Sequence, residues 1–342
     1  MLKVVHCGLG PIGQSVARMV LETEGLQVVG ATDPASDQAG RDLGAVLGLS
    51  RRVKVKVDGD PDRFIKKARA DVAILCTSSS LKTIKPQVLA LVARGMNVIS
   101  TCEELAFPTP ATASAFRELD AAAAKKKVSI LGTGVNPGYA MDALALTLTA
   151  ACSEVRRISV SRCVDAGTRR LPLQRKVGAG LNLNQFRRAM TEGSVRHVGL
   201  TESVHMIAAA LGWKLERVDE TLEAAIAPRD LDTEYLRIPA GGVAGIKQHA
   251  RGFRDGESVI SLDLQMYVGA ESPRDHVYID GTPPIDMTIK GGIAGDQATA
   301  AIVVNSIPKL MAARPGVVTM KDLPLVHRFN PAEIKALPAT RK

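Results

Sequence analysis

Glycines at positions 8, 10 and 13 stand directly after a short apolar stretch, Lys3-Val-Val-His-Cys7, and directly before a helical run that reaches Glu24. Strand, glycine turn and helix in that order form the first crossover of a parallel sheet. Within it Gly8 permits the tight turn, Gly10 the approach of backbone to a pyrophosphate, and Gly13 close helix–strand contact. Pro11 and Ile12 complete the turn at the helix N-terminus, whose amides and dipole receive phosphate. Twenty positions beyond Gly13, at the end of the next strand-like segment Leu26–Thr32, stands Asp33. A carboxylate there suits a bond to a ribose 2′-hydroxyl and repels a 2′-phosphate, which points to NAD in preference to NADP. The competing reading is a glycine turn followed by a capping aspartate.

The alternation continues with a helix over Gln38–Leu47, strand Val53–Val57, helix Pro61–Arg69, strand Asp71–Thr77, helix Leu81–Arg94 and strand Met96–Thr101. Helix Pro110–Lys127 and strand Val128–Gly132 follow. Short buried-type strands separated by helices imply βαβ units and about six parallel strands. An apolar helix is expected over Tyr139–Cys152, after which the pattern changes. Alternating runs at Val155–Val164, Ser258–Val268 and Ile285–Lys290, separated by turn clusters such as Arg254-Asp255-Gly256 and Gly281-Thr-Pro-Pro284, fit a mixed or antiparallel sheet. Helices are expected near Leu183–Met190 and Thr201–Leu211, and a helix over Gly295–Ala313, apolar on most faces, reads as buried. The fold class is therefore α/β: a Rossmann-type parallel sheet over residues 1–135, a mixed α/β (α+β) domain over 136–294, and a C-terminal helix and tail over 295–342 packing back on the first domain.

A chain of 342 residues with 46% hydrophobic and 23% charged residues supports sizeable cores and excludes a stapled miniprotein or a disordered chain. The net charge of +9 raises nucleic acid as a partner. Much of the excess, however, sits in Arg51–Arg69 and Lys125–Lys127 without interleaved aromatics, which reads as solvated helix faces and makes nucleic acid an unfavoured partner. The N-terminus lacks the pattern of a signal peptide, and no 18-residue apolar stretch exists, so no membrane partner is expected. Five widely spaced cysteines fit neither zinc nor redox pairs, which predicts reduced thiols, a cytoplasmic setting and no metal.

Two strand ends carry candidate chemistry. Cys76-Thr-Ser-Ser-Ser80 ends the fourth strand and Ser100-Thr-Cys-Glu-Glu104 the fifth, both at the carboxyl edge where open α/β sheets bind ligands. Thr77, Ser78 and Thr101 suit the ribose and nicotinamide of a coenzyme, or equally helix N-caps. Glu103 and Glu104 follow a buried strand at this edge. A carboxylate in a partly dry pocket exchanges protons near neutrality and suits a cationic amine or iminium better than an alcohol. Glu103, nearer the strand end, is the preferred acid–base. The alternative is that both glutamates decorate a helix's first turn.

The glycine motif, Ser100-Thr-Cys-Glu-Glu-Leu105, Gly134-Val-Asn-Pro-Gly138, Asp165-Ala-Gly-Thr-Arg-Arg170, Arg196-His-Val-Gly-Leu200 and Gly295-Asp-Gln-Ala-Thr299 together resemble the 2,4-diaminopentanoate dehydrogenases and the related native amine dehydrogenases. The resemblance extends over nearly the whole chain. It implies a dihydrodipicolinate reductase-like architecture whose mixed domain forms a homodimer and covers a small-molecule substrate. It also implies reversible oxidative deamination of an amine to a ketone and ammonia with NAD(P). One glutamate of the pair would bind the ammonium and move protons. Asn136 would approach the nicotinamide, while Asn136, Tyr139, Arg162 and His197 would line the substrate pocket. The alternatives are a solvated strand residue for Arg162 and a hydrogen-bonded structural histidine for His197.

Dihydrodipicolinate reductases carry a His-His pair and a Lys-x-Asp-Ala-Pro-Ser-Gly-Thr segment that this chain lacks, which argues against that reaction. Arg162, Arg169 and Arg170 leave open whether the substrate carries a carboxylate. The rival readings are a reductase of another substrate on the same architecture and a non-catalytic NAD(H)-binding regulator.

Overall fold

The computed structural model describes residues 1–335, which divide into two compact units: Met1–Tyr139 with the stretch from Ala294 on, and Ala140–Ile293. Residues 336–342 of the expected tail lie outside the described residues.

In the first unit, strands β1 (Leu2–Cys7), β2 (Leu26–Thr32), β3 (Val57–Asp58), β4 (Val72–Leu75), β5 (Asn97–Ser100) and β6 (Ser129–Gly132) lie in the order 3-2-1-4-5-6. Every pairing is parallel. A seventh strand, Gly316–Val318, which the sequence pattern does not predict, extends the sheet beyond β6. The helices are α1 (Pro11–Glu22), α2 (Leu43–Val46), α3 (Pro61–Lys67), α4 (Leu81–Ala93) and α5 (Ala113–Lys126). β4 and β6 are buried along their whole length, as parallel strands covered on both faces must be. On one face Leu81, Ile84, Val88 and Leu91 of α4 and Phe116 and Leu119 of α5 join Val5, Leu75, Val98 and Ile130 in a single apolar cluster. On the other, α1 packs against the helix Gly295–Ala312, which also reaches β5 and β6. Because all strands run the same way, the glycine loop after β1 and the Glu103–Glu104 turn after β5 emerge at one carboxyl edge.

Three expected elements keep half of their predicted residues or fewer. The helix over Gln38–Leu47 is reduced to α2, because Gly40 adopts a left-handed φ of +79° and Asp42 caps the helix through Gly44 N–H. The strand over Val53–Val57 keeps only its end in β3. The Val53 and Lys54 amides are bound by the Asp42 carboxylate, at 3.0 and 2.8 Å, and Lys54 has a φ of +63°, so neither residue is in a ladder. The helix over Tyr139–Cys152 contracts to α6 (Ala143–Thr149), whose start is set by Asp142 accepting from Ala143 N–H.

Beyond α6, the second unit contains α7 (Leu171–Lys176), α8 (Leu183–Thr191) and α9 (Leu200–Ala210). Its strands are β7 (Glu154–Asp165), β8 (Arg217–Ile226), the short pair β9 (Leu231–Asp232) and β10 (Arg237–Ile238), β11 (Val243–Arg254), β12 (Glu257–Tyr267), β13 (Arg274–Thr282) and β14 (Ile285–Lys290). The six-stranded sheet runs β14-β13-β7-β12-β11-β8, parallel at β7–β12 and antiparallel elsewhere, hence mixed. Asp255 and Gly256, with φ of +54° and +78°, form the two-residue turn that matches strand twist between β11 and β12. Helix α9 packs on β8, β11 and β12. Buried Ile158, Val160, Ile246, Ala250, Ile260 and Leu262 alternate with partly exposed Ser159, Ser161, Lys247, His249, Ser261 and Asp263. Among the described residues no helix is long and apolar enough to cross a membrane.

Gly132 ends β6 against the turn that carries the two glutamates. A Cβ there would lie 2.4 Å from the carbonyl carbon and oxygen of Leu105, which are backbone atoms and cannot swing aside. Gly132→Ala is therefore expected to lower the unfolding free energy by about 2 kcal/mol or more. Urea titration checks this, and a variant as stable as the parent refutes the tight seating of that turn.

Candidate active site

Three glycines shape the loop between β1 and α1, each for a different reason. Gly8 has a φ of +93°, and a Cβ would lie 2.4 Å from Cys76 O on β4's exit. At Gly13 a Cβ would lie 2.0 Å from Gly8 O, so α1 rests directly on the loop. Gly10 caps α1 without a side chain, and a Cβ there meets no protein atom within 4 Å. The space above the helix N-terminus is thus open where a pyrophosphate would approach, and Pro11 occupies a first-turn position that needs no donor. These residues fit a dinucleotide.

Asp33 ends up 9% exposed beside this loop. Its Oδ2 accepts from Leu9 N–H at 2.5 Å and its Oδ1 from Ala35 N–H at 2.8 Å. Leu9 O is held in turn by the side-chain amides of Gln14, at 2.9 Å, and Gln38, at 3.4 Å. Beneath the loop lies His6, 1% exposed, with Nε2 3.0 Å from Gly8 O. His6, Gln14 and Gln38 are absent from the sequence-predicted set. The available signal for His6 is a polar residue in an apolar strand two positions before Gly8.

At the end of β5 the two glutamates part. They lie on a short 3-10 turn, Glu103–Leu105. Glu104 Oε2 accepts from Leu81 N–H at 2.7 Å and so caps α4, whose own N-cap residue, Ser80, makes no side-chain cap bond. Glu103 beside it is partly exposed. Thr101 is partly exposed, and burial pushes the nearby Cys76 thiol up to about 12. Thr77 is exposed, with its hydroxyl donating to Gln87 Oε1 at 2.7 Å, and Ser78 Oγ accepts from Ser80 N–H.

Asn136, 9% exposed, sits in the loop after β6, tied down where Val135 N–H donates to Thr299 Oγ1 at 3.2 Å. Gly138 closes that loop with a φ of +122°, and a Cβ would lie 2.6 Å from Gly134 N. Tyr139 follows, partly exposed.

Within the second unit Arg162 is buried, and its Nη1 donates to both Asp275 oxygens at 2.7 Å. Its Nη2 donates to Ile293 O at 2.6 Å. Arg162 and Asp275 face each other in the β7–β13 register, so this ion pair is also a cross-strand contact. His197 is held by Gln248, whose Oε1 accepts from the His197 amide at 2.9 Å and whose Nε2 donates to its carbonyl at 2.7 Å. Burial, with the charges of Lys176 and Arg162 nearby, pushes the His197 imidazole down to about 3. Asp275 and Gln248 were not predicted, because only the strand register reveals them.

A parallel sheet in this order with a glycine loop shaped for a dinucleotide defines a nucleotide-dependent dehydrogenase of Rossmann type. The model of the dihydrodipicolinate reductase N-terminus matches residues 2–104, and that of the 2,4-diaminopentanoate dehydrogenase C-terminal domain matches residues 139–336. The chain is 34% identical over 340 residues to the 2,4-diaminopentanoate dehydrogenase of Acetoanaerobium sticklandii, covering 95% of this chain and 94% of that protein. It is 24% identical to the amine dehydrogenase of Streptomyces virginiae, with 95% and 97% covered. The solved amine dehydrogenase of Mycobacterium smegmatis shares the fold with a TM-score of 0.86 at 23% identity, covering 96% of this chain and 98% of that one. The chain belongs to the 2,4-diaminopentanoate dehydrogenase family.

Burial pushes the His6 imidazole down to about 4, whereas in the unfolded chain it protonates near 6.5. The folded protein therefore binds fewer protons. The stability this confers is complete above pH 6.5 and declines as pH falls toward 4. Between pH 7.5 and 5 His6 alone accounts for about 2 kcal/mol, in a window above that of ordinary carboxylates. Urea unfolding across this range should reproduce the decline, and a flat profile contradicts the buried neutral ring.

Proposed function

We propose that this chain is an NAD-preferring amine dehydrogenase that interconverts a primary amine with a ketone and ammonia, with Glu103 as the acid–base. The observation that carries the reading is the division of labour at the end of β5. Glu104 is turned to the α4 N-terminus, while Glu103 stands at the same carboxyl edge as the glycine loop.

In this reading the Glu103 carboxylate binds the substrate ammonium and accepts one of its protons, giving a neutral amine whose lone pair assists loss of hydride from the adjacent carbon. Bound NAD⁺ supplies the two-electron hydride acceptor. Glu103 then releases that proton to solvent, accepts one from the water that attacks the resulting iminium, and returns it to the carbinolamine nitrogen; ammonia departs and takes up the hydroxyl proton as the ketone forms. The balance is R₂CH–NH₃⁺ + NAD⁺ + H₂O giving R₂C=O + NH₄⁺ + NADH + H⁺. Gly8, Gly10, Pro11, Ile12 and Gly13 are assigned to the pyrophosphate, Asp33 to the adenosine ribose, and Thr77, Ser78, Thr101 and Asn136 to the remainder of the coenzyme. Asn136, Tyr139, Arg162 and His197 are assigned to the substrate. The bonds of Arg162 to Asp275 and Ile293 O make it a fixed wall rather than a mobile clamp.

A panel of short amines and diamino acids with NAD⁺ and NADP⁺, followed by NADH or NADPH formation, tests the reading. Amine-dependent turnover with the higher kcat/KM for NAD⁺ is expected, and no turnover with any amine refutes it. Five free cysteines, with burial holding the Cys7, Cys76 and Cys102 thiols protonated, suit a reducing cytoplasm.

Glu103→Gln is expected to lower amine kcat/KM by roughly 10²–10⁴ while NADH still binds. Glu104→Gln keeps an oxygen for Leu81 N–H and should cost at most about 1 kcal/mol of stability, with much less effect on rate. Steady-state kinetics on both variants decide the assignment, and the opposite ranking exchanges the roles of the two residues.

We further propose a homodimer through the face of the second sheet that carries Ser159, Ser161, Lys247, His249, Ser261 and Asp263. These side chains are only partly exposed, and their alternates are buried on the opposite face of the sheet. Light scattering should give twice 36.2 kDa at micromolar concentration, and a species at the chain mass alone removes the proposal.

A further inference from the structure

The Gly8–Leu9 peptide group is held at both ends. Its carbonyl oxygen faces His6 Nε2 at 3.0 Å, and its N–H donates to Asp33 Oδ2 at 2.5 Å. One amide plane thus joins a buried imidazole to the carboxylate assigned to the coenzyme ribose. We infer that His6 is a positioning residue for the coenzyme, donating from Nε2 to Gly8 O and thereby fixing the amide that orients Asp33. The inference rests on the reading of Asp33 as the ribose-binding carboxylate.

Geometry leaves the ring one tautomer. Nε2 faces an acceptor, while Nδ1, buried, has no partner among the described residues, so the proton resides on Nε2. Burial pushes this imidazole down to about 4, which keeps it a neutral single donor at physiological pH. Its location leaves no room for error. A Cβ on Gly13 would lie 3.2 Å from His6 Nε2 as well as 2.0 Å from Gly8 O, so ring, loop and the first turn of α1 are in mutual contact.

Donation into a carbonyl polarises the amide and strengthens its own N–H as a donor, here toward Asp33. The next peptide is held separately, through Leu9 O, by Gln14 and Gln38. Volume alone does not explain a histidine here, because an apolar side chain of equal size fills the space but leaves the buried Gly8 carbonyl without this donor.

The test uses the full chain and two substitutions at position 6. His6→Met keeps length and apolar contact without the donor, and His6→Gln restores an amide N–H at the reach of Nε2. NADH affinity is measured by fluorescence titration without amine, thermal stability by melting, and the NAD⁺/NADP⁺ ratio of kcat/KM by kinetics. His6→Met should weaken NADH about tenfold, which is 1.4 kcal/mol, and narrow the NAD⁺/NADP⁺ ratio. The loss should fall on coenzyme KM rather than on kcat, and His6→Gln should recover NADH binding to within about threefold.

Unchanged NADH affinity in His6→Met overturns the inference, as does a parallel fall in kcat and melting temperature with a rise in amine KM. Should His6→Met fail to fold, His6→Gln decides alone: near-parental NADH affinity supports the donor, and a tenfold loss rejects it. Asp33→Asn separates the two levels. If it abolishes coenzyme discrimination while His6→Met leaves discrimination intact, the ribose reading stands and the positioning role fails. If Asp33→Asn leaves discrimination intact, the ribose reading fails and the inference with it.

Discussion

The distance at which α1 may approach β1 sets everything at the carboxyl edge of the first sheet. Side chains normally keep a helix start clear of the strand that feeds it. Here the missing Cβ atoms of Gly8 and Gly13 let Gly8 O and Cys76 O come into contact distance of the opposing backbone. That closeness leaves the α1 amides at the mouth of the loop, brings Leu9 N–H within reach of the β2-end carboxylate, and puts a histidine beneath the turn. The same economy recurs at Gly132, where β6 meets the turn bearing Glu103 and Glu104 without a side chain between them. In both places an absent atom lets one backbone segment support another that carries chemistry.

Much of the first unit is legible in the sequence because its central strands are buried on both faces and its helices on one, so periodicity and apolarity agree. The boundaries that fail do so where a side chain outbids the ladder. Asp42 collects the amides of Gly44, Val53 and Lys54, and thereby shortens one helix and one strand at once. No local pattern announces a carboxylate reaching twelve residues along the chain. The second unit is harder. β14 is read with its bounds intact, but β8, β11 and β13 have polar outward faces and, in β11, glycines at 245 and 252, which dilute the alternation.

For the candidate site, the motif residues were visible because their types are demanded by local geometry: glycine where φ is positive, proline at a helix start, acid at a strand end. The preference for Glu103 over Glu104 rests only on their order in the sequence; the structure adds that Glu104 accepts from Leu81 N–H at the start of α4. Side chains that act on those residues were not visible. Asp275 meets Arg162 only through strand register, and Gln248 meets residue 197 only because β11 passes beside the segment before α9.

Gln248 binds the amide and the carbonyl of residue 197, and neither bond involves the imidazole. Its primary amide is itself anchored by Glu220, so the grip comes from β8 and β11 and is indifferent to which side chain position 197 presents. Placement and identity are thereby separable at this position: the backbone works as a socket into which different groups can be set at one fixed point. A descendant of this chain can exchange the histidine for another residue without moving its Cα, so chemical variety at position 197 comes without architectural change.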